Sequence, residues 1–229
     1  MFRRILLACC LLNLSAAAQQ PQMVDTEFLT VAIDEAVDGL FYFDGKAAQP
    51  FEANVTGLSQ PMSYIGPRRF VVRSTAAEFS LKPPLPAPVA SVDFPMNCKR
   101  VLLICVKSAN TPLRMVAYDI STTDRAGDYR FFNFSRRPLS LILGEKRVAL
   151  EPGKDTLLSD PSWRDAVLDL PIKLAAVDNN KAKPIYSSIW GHRPGRRNFI
   201  FMFDGQHPSK PINFCRFFDI PGATRVAAP

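Results

Sequence analysis

Histidine is nearly missing from this chain: two residues, His192 and His207, among 229. That scarcity argues against a histidine-built metal centre and against a hydrolase dependent on an imidazole base. No Gly-x-Ser-x-Gly turn, calcium loop or phosphate-binding glycine loop occurs. Five cysteines are too few for a disulfide scaffold, and Cys98-x6-Cys105 lacks a second pair at zinc-ligand spacing. The apolar run from Ile5 to Leu14 is about half the ~20 residues a membrane-spanning helix needs. Beyond that run there is almost no helical periodicity. What is present in quantity is apolar: 47% of residues are hydrophobic and 17 are Phe, against 21% charged, the profile of a globular chain.

The first eighteen residues have the form of a secretory signal. Arg3 and Arg4 precede the apolar run, and Ala16-Ala17-Ala18 follows it as a small-residue cleavage site, so export with cleavage near Ala18 is expected. A lipoprotein site at Leu7-Ala8-Cys9 would leave too few apolar residues between Arg4 and Cys9. The mature chain then carries no transmembrane segment and keeps Cys98, Cys105 and Cys215. An odd count permits one disulfide and a spare thiol, or three buried thiols. Cys105 within Val101–Val106 and Cys215 within Ile212–Phe218 read as small core hydrophobes.

Past the signal, short runs of Phe, Val, Ile, Leu and Tyr alternate with Pro, Gly, Asn and Asp, the pattern of strands and turns. The first half gives Phe28–Ile33, Leu40–Phe43, Arg69–Arg73, Arg100–Lys107 and Leu113–Asp119. The second half gives Tyr129–Phe134, Leu139–Leu143, Arg147–Leu150, Leu168–Val177, Ile185–Trp190, Asn198–Phe203 and Ile212–Phe218. Val101–Val106 is apolar at every position, so both of its faces should be covered, as in the central strand of a sandwich. A hairpin loop is expected at Asp178–Lys181, and one helical turn at Asp160–Trp163, capped by Asp160 with Pro161 first. The ends of the halves also match: Pro95, Pro112 and Asp119 recur as Pro194, Pro211 and Asp219 at an offset of about one hundred residues. The expected fold is therefore all-β, two tandem immunoglobulin-like β-sandwich domains over 24–120 and 129–221, with a polar linker at 121–128 and a tail at 222–229.

Chemistry is harder to find. His192 and His207 read as loop or surface residues. The carboxylate clusters Asp34/Glu35/Asp38 and Asp165/Asp169 read as solvated turns rather than a glycosidase pair. Asn54-Val55-Thr56 and Asn133-Phe134-Ser135 fit the glycosylation pattern, and Pro83–Pro88 reads as a stiff loop. Neither a catalytic residue, a cofactor nor a metal is expected. Charge is the remaining clue. Without the signal the net charge is +5, with residues 19–120 at −1 and 121–229 at +6. The densest basic patch is Arg193, Arg196 and Arg197 beside Trp190, the candidate contact for an anionic partner: an envelope polymer, lipid head groups or an acidic envelope protein, and not nucleic acid.

Tyr129-Arg130-Phe131-Phe132-Asn133-Phe134-Ser135, Leu141-Ile142-Leu143-Gly144 and Leu150-Glu151-Pro152-Gly153 together resemble exported bacterial β-sandwich domains of unknown function. The resemblance spans about a quarter of the chain. It implies export and a sandwich, and it brings no catalytic residues. The expectation is a non-enzymatic envelope interaction or structural module. A periplasmic chaperone that lends an edge strand to its partner is one alternative, and a carbohydrate-active enzyme is another.

Overall fold

The computed structural model describes residues 21–108, 111–121, 124–178, 181–207 and 209–221. The expected signal at 1–18, the tail at 222–229, Asn179-Asn180 in the hairpin loop, Thr122-Thr123 in the linker and Pro208 lie outside the described residues. The described residues are all-β, with no α-helix among them.

Eight strands precede the crossing to the second half: β1 (Met23–Asp34), β2 (Val37–Phe43), β3 (Ala48–Ala53), β4 (Met62–Pro67), β5 (Arg69–Val72), β6 (Ala90–Asp93), β7 (Arg100–Ser108) and β8 (Thr111–Asp119). Eight follow it: β9 (Tyr129–Asn133), β10 (Leu139–Leu143), β11 (Lys146–Leu150), β12 (Asp155–Leu158), β13 (Leu168–Asp178), β14 (Lys181–His192), β15 (Arg197–His207) and β16 (Lys210–Asp219). The first set forms a sheet in the order β4-β1-β7-β8, with β1 parallel to β7 and the other neighbours antiparallel. The pairs β2-β3 and β5-β6 face it, joined by an isolated bridge from Phe41 to Arg73. The second set repeats that order eight strands on. Its sheet β12-β9-β15-β16 has β9 parallel to β15, and β11-β10-β13-β14 lies opposite.

Four strands escape the sequence pattern, and each has a local reason. Pro50 interrupts β3, β4 carries Gly66 and Pro67 at its end, and β6 and β12 hold only two apolar residues each in four. The expected turn at Asp160 forms. The Asp160 carboxylate accepts from Ser162 N–H at 2.9 Å and caps a single 3-10 turn over Pro161–Trp163.

Each half fills the space between its sheets with apolar side chains. In the first, Phe28, Tyr42, Phe51, Tyr64, Phe70 and Phe94 meet as an aromatic cluster, with Phe70 and Phe94 stacked at 4.8 Å. Such pairs add ~0.5–1.5 kcal/mol each beyond the area they bury. Cys98 and Cys105 are free thiols within this core, and burial pushes the Cys105 thiol up to about 12. In the second, Tyr129, Trp163, Trp190, Ile200 and Met202 pack with the leucines of β10 and β13.

A third apolar layer draws on both halves. Leu29, Val31 and Ile33 of β1 and Leu102 and Ile104 of β7 pack with Phe132 of β9 and Phe199 and Phe201 of β15. Strand parity explains this layer. Successive side chains point to opposite faces, so Val101, Leu103 and Cys105 enter the first core while Leu102 and Ile104 turn the other way. Val101–Val106 does have cover on both faces, but the second cover comes from β9 and β15, about 30 and 100 residues downstream, rather than from its own opposing sheet. Cys215 packs against this layer, and burial pushes its thiol up to about 11.

The crossing segment at 121–128 is polar, and part of it is buried together with the residue that precedes it. Ile120 is fully buried in the shared layer, and Asp124 and Asp128 are buried too. Asp124 accepts from Arg130 Nε at 2.8 Å, Asp155 pairs with the same guanidinium, and Asp128 O accepts from Asn198 N–H at 2.8 Å. Asn133 of the second glycosylation pattern is buried with its amide donating to Arg137 O and Leu150 O, both at 2.9 Å, so it is closed to a transferase.

The shared layer makes a prediction. Phe201 stacks on Phe132 at 5.0 Å and lies outside the other two apolar clusters. Phe201→Ala should nevertheless cost ~3–5 kcal/mol, as for a core phenylalanine. Urea unfolding measures it, and a cost below ~1 kcal/mol would mean the layer is not a core.

Candidate functional site

The four residues singled out by sequence flank one turn. β14 ends at His192, β15 begins at Arg197, and Arg193-Pro194-Gly195-Arg196 joins them. Pro194 followed by Gly195 at φ +78° is type II turn chemistry, and it leaves Arg193 and Arg196 exposed on either side. The Arg196 guanidinium lies 4.3 Å from the Phe218 ring, and Arg193 Nη1 donates to His192 O at 2.9 Å.

The other two of the four are not available to a partner. Trp190 is buried in the second core, its indole N–H donating to Tyr186 hydroxyl at 3.2 Å. Arg197 is buried as well. Its Nε donates to Asp219 Oδ2 at 2.8 Å, and its Nη1 reaches Ile120 O. Asp219 also accepts from Arg100 Nη2 of the first half at 3.4 Å, so one carboxylate ties two arginines together across the shared layer. The physical reason is parity again: adjacent in sequence, Arg196 precedes the strand and Arg197 opens it, facing inward.

Sequence reasoning missed Arg216. Ile212 and Phe214 of β16 contribute to the second core, and Arg216 is the next residue of that parity. Its guanidinium sits 4.8 Å from the Trp190 ring and 5.5 Å from the Tyr129 ring, which themselves lie nearly parallel 6.4 Å apart. Cation–π contacts of this kind are worth up to ~2 kcal/mol when desolvated. Arg216 Nε and Nη2 both donate to Asn198 Oδ1, at 3.1 and 2.9 Å, and Nη2 also to Gly191 O at 3.3 Å. Burial pushes its pKa below the ordinary value and neighbouring Arg196 pushes the same way, but an arginine stays charged. The available signal was a cation at an inward position of the Ile212-Phe214 alternation.

Gly191, Arg193, Arg196, Asn198, Arg216 and Phe218 enclose a cleft of about 250 Å³. Three arginines line it and no carboxylate does. A second cleft, about 390 Å³, shares Arg216 and Phe218 and runs between the halves past Arg100, Ser59 and Leu58.

His192 lies beneath this surface, fully buried. Its Nε2 is 2.6 Å from Trp163 O, an acceptor only, so the proton is on Nε2 and Nδ1 accepts from Tyr129 hydroxyl at 3.0 Å. This is a satisfied core histidine. His207 is exposed, beside Ser209 Oγ at 2.8 Å. Asp34, Asp38, Asp165 and Asp169 are exposed, and among the described residues no group of three or more His, Cys, Asp or Glu is placed to hold a metal.

No protein-family profile matches this chain, and neither does any curated protein. Among solved structures, a "putative cell adhesion protein" from Bacteroides eggerthii aligns over 86% of this chain and 96% of its own, at 8% identity and a TM-score of 0.25. That likeness is too slight to carry an argument about fold or role.

Two predictions follow from the buried groups. Asp219→Ala would leave Arg100 and Arg197 without their shared counter-charge and should cost ~3–5 kcal/mol in urea unfolding; a loss under ~1 kcal/mol would make the pair incidental. For His192, desolvation lowers the pKa from 6.5, aided by Arg216 and Arg193 and opposed by the Trp163 carbonyl. The unfolded chain therefore takes up the proton first. Stability is fully present above pH ~6.5 and is lost as pH falls from there through the lower folded-state value. His192→Gln retains a donor for Trp163 O without titrating, so its stability between about pH 7 and 5 should vary less than the wild type's, measured by urea unfolding at each pH.

Proposed function

We propose that the protein is an exported, non-enzymatic interaction module of two immunoglobulin-like sandwiches, over 24–120 and 129–221, that meets an anionic envelope polymer through the Arg193–Arg196 turn. The repeated strand order, eight strands apart, supports the two-sandwich reading, as does the division into two cores with a layer between them. The signal-like residues up to Ala18 support export. Among the described residues no helix is long and apolar enough to cross a membrane.

The observation that carries the reading is the cleft with three arginines and no acid. Elsewhere in this half the buried arginines have carboxylates: Arg130 has Asp124 and Asp155, Arg197 has Asp219. Arg193, Arg196 and Arg216 form no ion pair among the described residues. Unpaired guanidinium groups on a rigid wall set up a positive potential that attracts and orients a polyanion. Strand lending is disfavoured at one sheet edge: β14 carries Lys181, Lys183 and Pro184, which discourage a further strand from pairing there.

The test is a salt gradient on an immobilised sulfated polysaccharide, used as a surrogate polyanion. The double substitution Arg193→Ala, Arg196→Ala should elute at clearly lower salt than wild type, because exposed charge contacts are screened within ~8–10 Å at ordinary ionic strength. Elution at the same salt would refute the contact.

A further inference from the structure

We infer that the cleft beneath Arg216 is a receptor for one phosphate group, free or esterified, with Arg216 as its anchor; this deepens the polyanion reading and rests on it. A cation at a core-facing position ordinarily brings a carboxylate with it, because desolvation otherwise goes uncompensated. Arg216 instead has two aromatic faces and two carbonyl oxygens, Asn198 Oδ1 and Gly191 O. Those partners take Nε and Nη2 and fix the plane of the guanidinium. Among the described residues Nη1 has no hydrogen-bond partner, so its two N–H groups are the donors Arg216 has left for the cleft it lines. Asn198 is itself held, its Nδ2 donating to Asp128 O at 3.5 Å and its backbone N–H to the same oxygen at 2.8 Å. The anchor is thus pre-set before any ligand arrives, which removes part of the ordering cost of binding.

The charge count selects the ligand. Arg193, Arg196 and Arg216 bring three positive charges to a cleft of about 250 Å³ without an acid on its wall. A carboxylate neutralises one of them. A phosphate monoester carries about −1.5 to −2 near neutral pH and offers several oxygens to more than one guanidinium fork. The adjoining cleft of about 390 Å³ opens from the same Arg216 and Phe218 and has room for the organic part of an ester, within the ~300–1,000 Å³ usual for small-molecule sites. Its carboxylate, Asp219, is already engaged by Arg197 and Arg100.

Calorimetric titration of the whole protein at low salt tests this, with inorganic phosphate, glycerol 3-phosphate and, at matched ionic strength, acetate. Saturable binding of a phosphate probe at one site is expected, with acetate at least about tenfold weaker. A tighter ester identifies an esterified group as the source, and a tighter inorganic ion identifies free phosphate. Arg216→Lys keeps the charge but loses the planar fork, and should lose about tenfold or more in affinity. Should that variant fail to fold, Arg193→Ala with Arg196→Ala decides, since both are exposed; a loss of threefold or more is expected. No saturable binding of either phosphate probe, acetate binding as well as phosphate, or unchanged affinity in a folded variant would each overturn the proposal. Retention on the polysaccharide without phosphate binding would sink this site and spare the polyanion contact; phosphate binding without retention would do the reverse.

Discussion

The apolar layer between the two sheets β4-β1-β7-β8 and β12-β9-β15-β16 constrains everything else in the molecule. A sandwich strand normally hides one face and wets the other, and its sequence alternates accordingly. Here β1 and β7 have no wet face along Phe28–Ile33 and Val101–Cys105, because Phe132, Phe199 and Phe201 lie against the outer side. Each phenylalanine so buried is worth ~1.5–3 kcal/mol. The two sheets are consequently fixed against each other rather than hinged, and any group at the rim of the layer is held in one place.

At that rim the chain has to cross from one half to the other, and it does so with charge. Ile120 closes the layer, and within a few residues Asp124 accepts from Arg130 while Arg197 reaches back to Ile120 O and Asp219. Buried ion pairs add little net stability, but losing one partner is costly, so such a set fixes geometry more than it strengthens the fold. The count is uneven: Asp219 serves both Arg100 and Arg197, leaving that corner positive before Arg193, Arg196 and Arg216 are added. The basic cleft is the open end of an arginine-rich corner whose other members are already engaged in holding the halves together.

How far the sequence discloses this depends on the scale of the signal. Strand-like runs identify most strands, since each carries at least three apolar residues between turn formers. β3, β4, β6 and β12 are lost because proline or glycine breaks the run or it holds only two apolar residues. Val101–Val106 announces two covered faces but cannot name the second cover, because long-range packing leaves no local mark. The basic patch shows the same limit in miniature. Counting Arg193, Arg196, Arg197 and Trp190 as one surface ignores parity: the strand begins at Arg197, so that arginine turns inward to Asp219 while its neighbour stays in water.

Parity also marks Arg216 within the sequence of β16. A charge at an inward strand position violates the period-two pattern, and such violations gather at functional or strained sites. Arg130 and Arg197 break the pattern and are answered by aspartates. Arg216 breaks it too, beyond Phe214 in the run toward the second core, and is answered only by ring faces and carbonyl oxygens. An arginine retained there for packing alone could be replaced by a leucine or methionine, which would bury its apolar surface without desolvating a cation. Asn198 Oδ1 would then lose the guanidinium it accepts from. Asn198 and Gly191 hold the guanidinium through Nε and Nη2, which fixes its plane at the wall of the basic cleft.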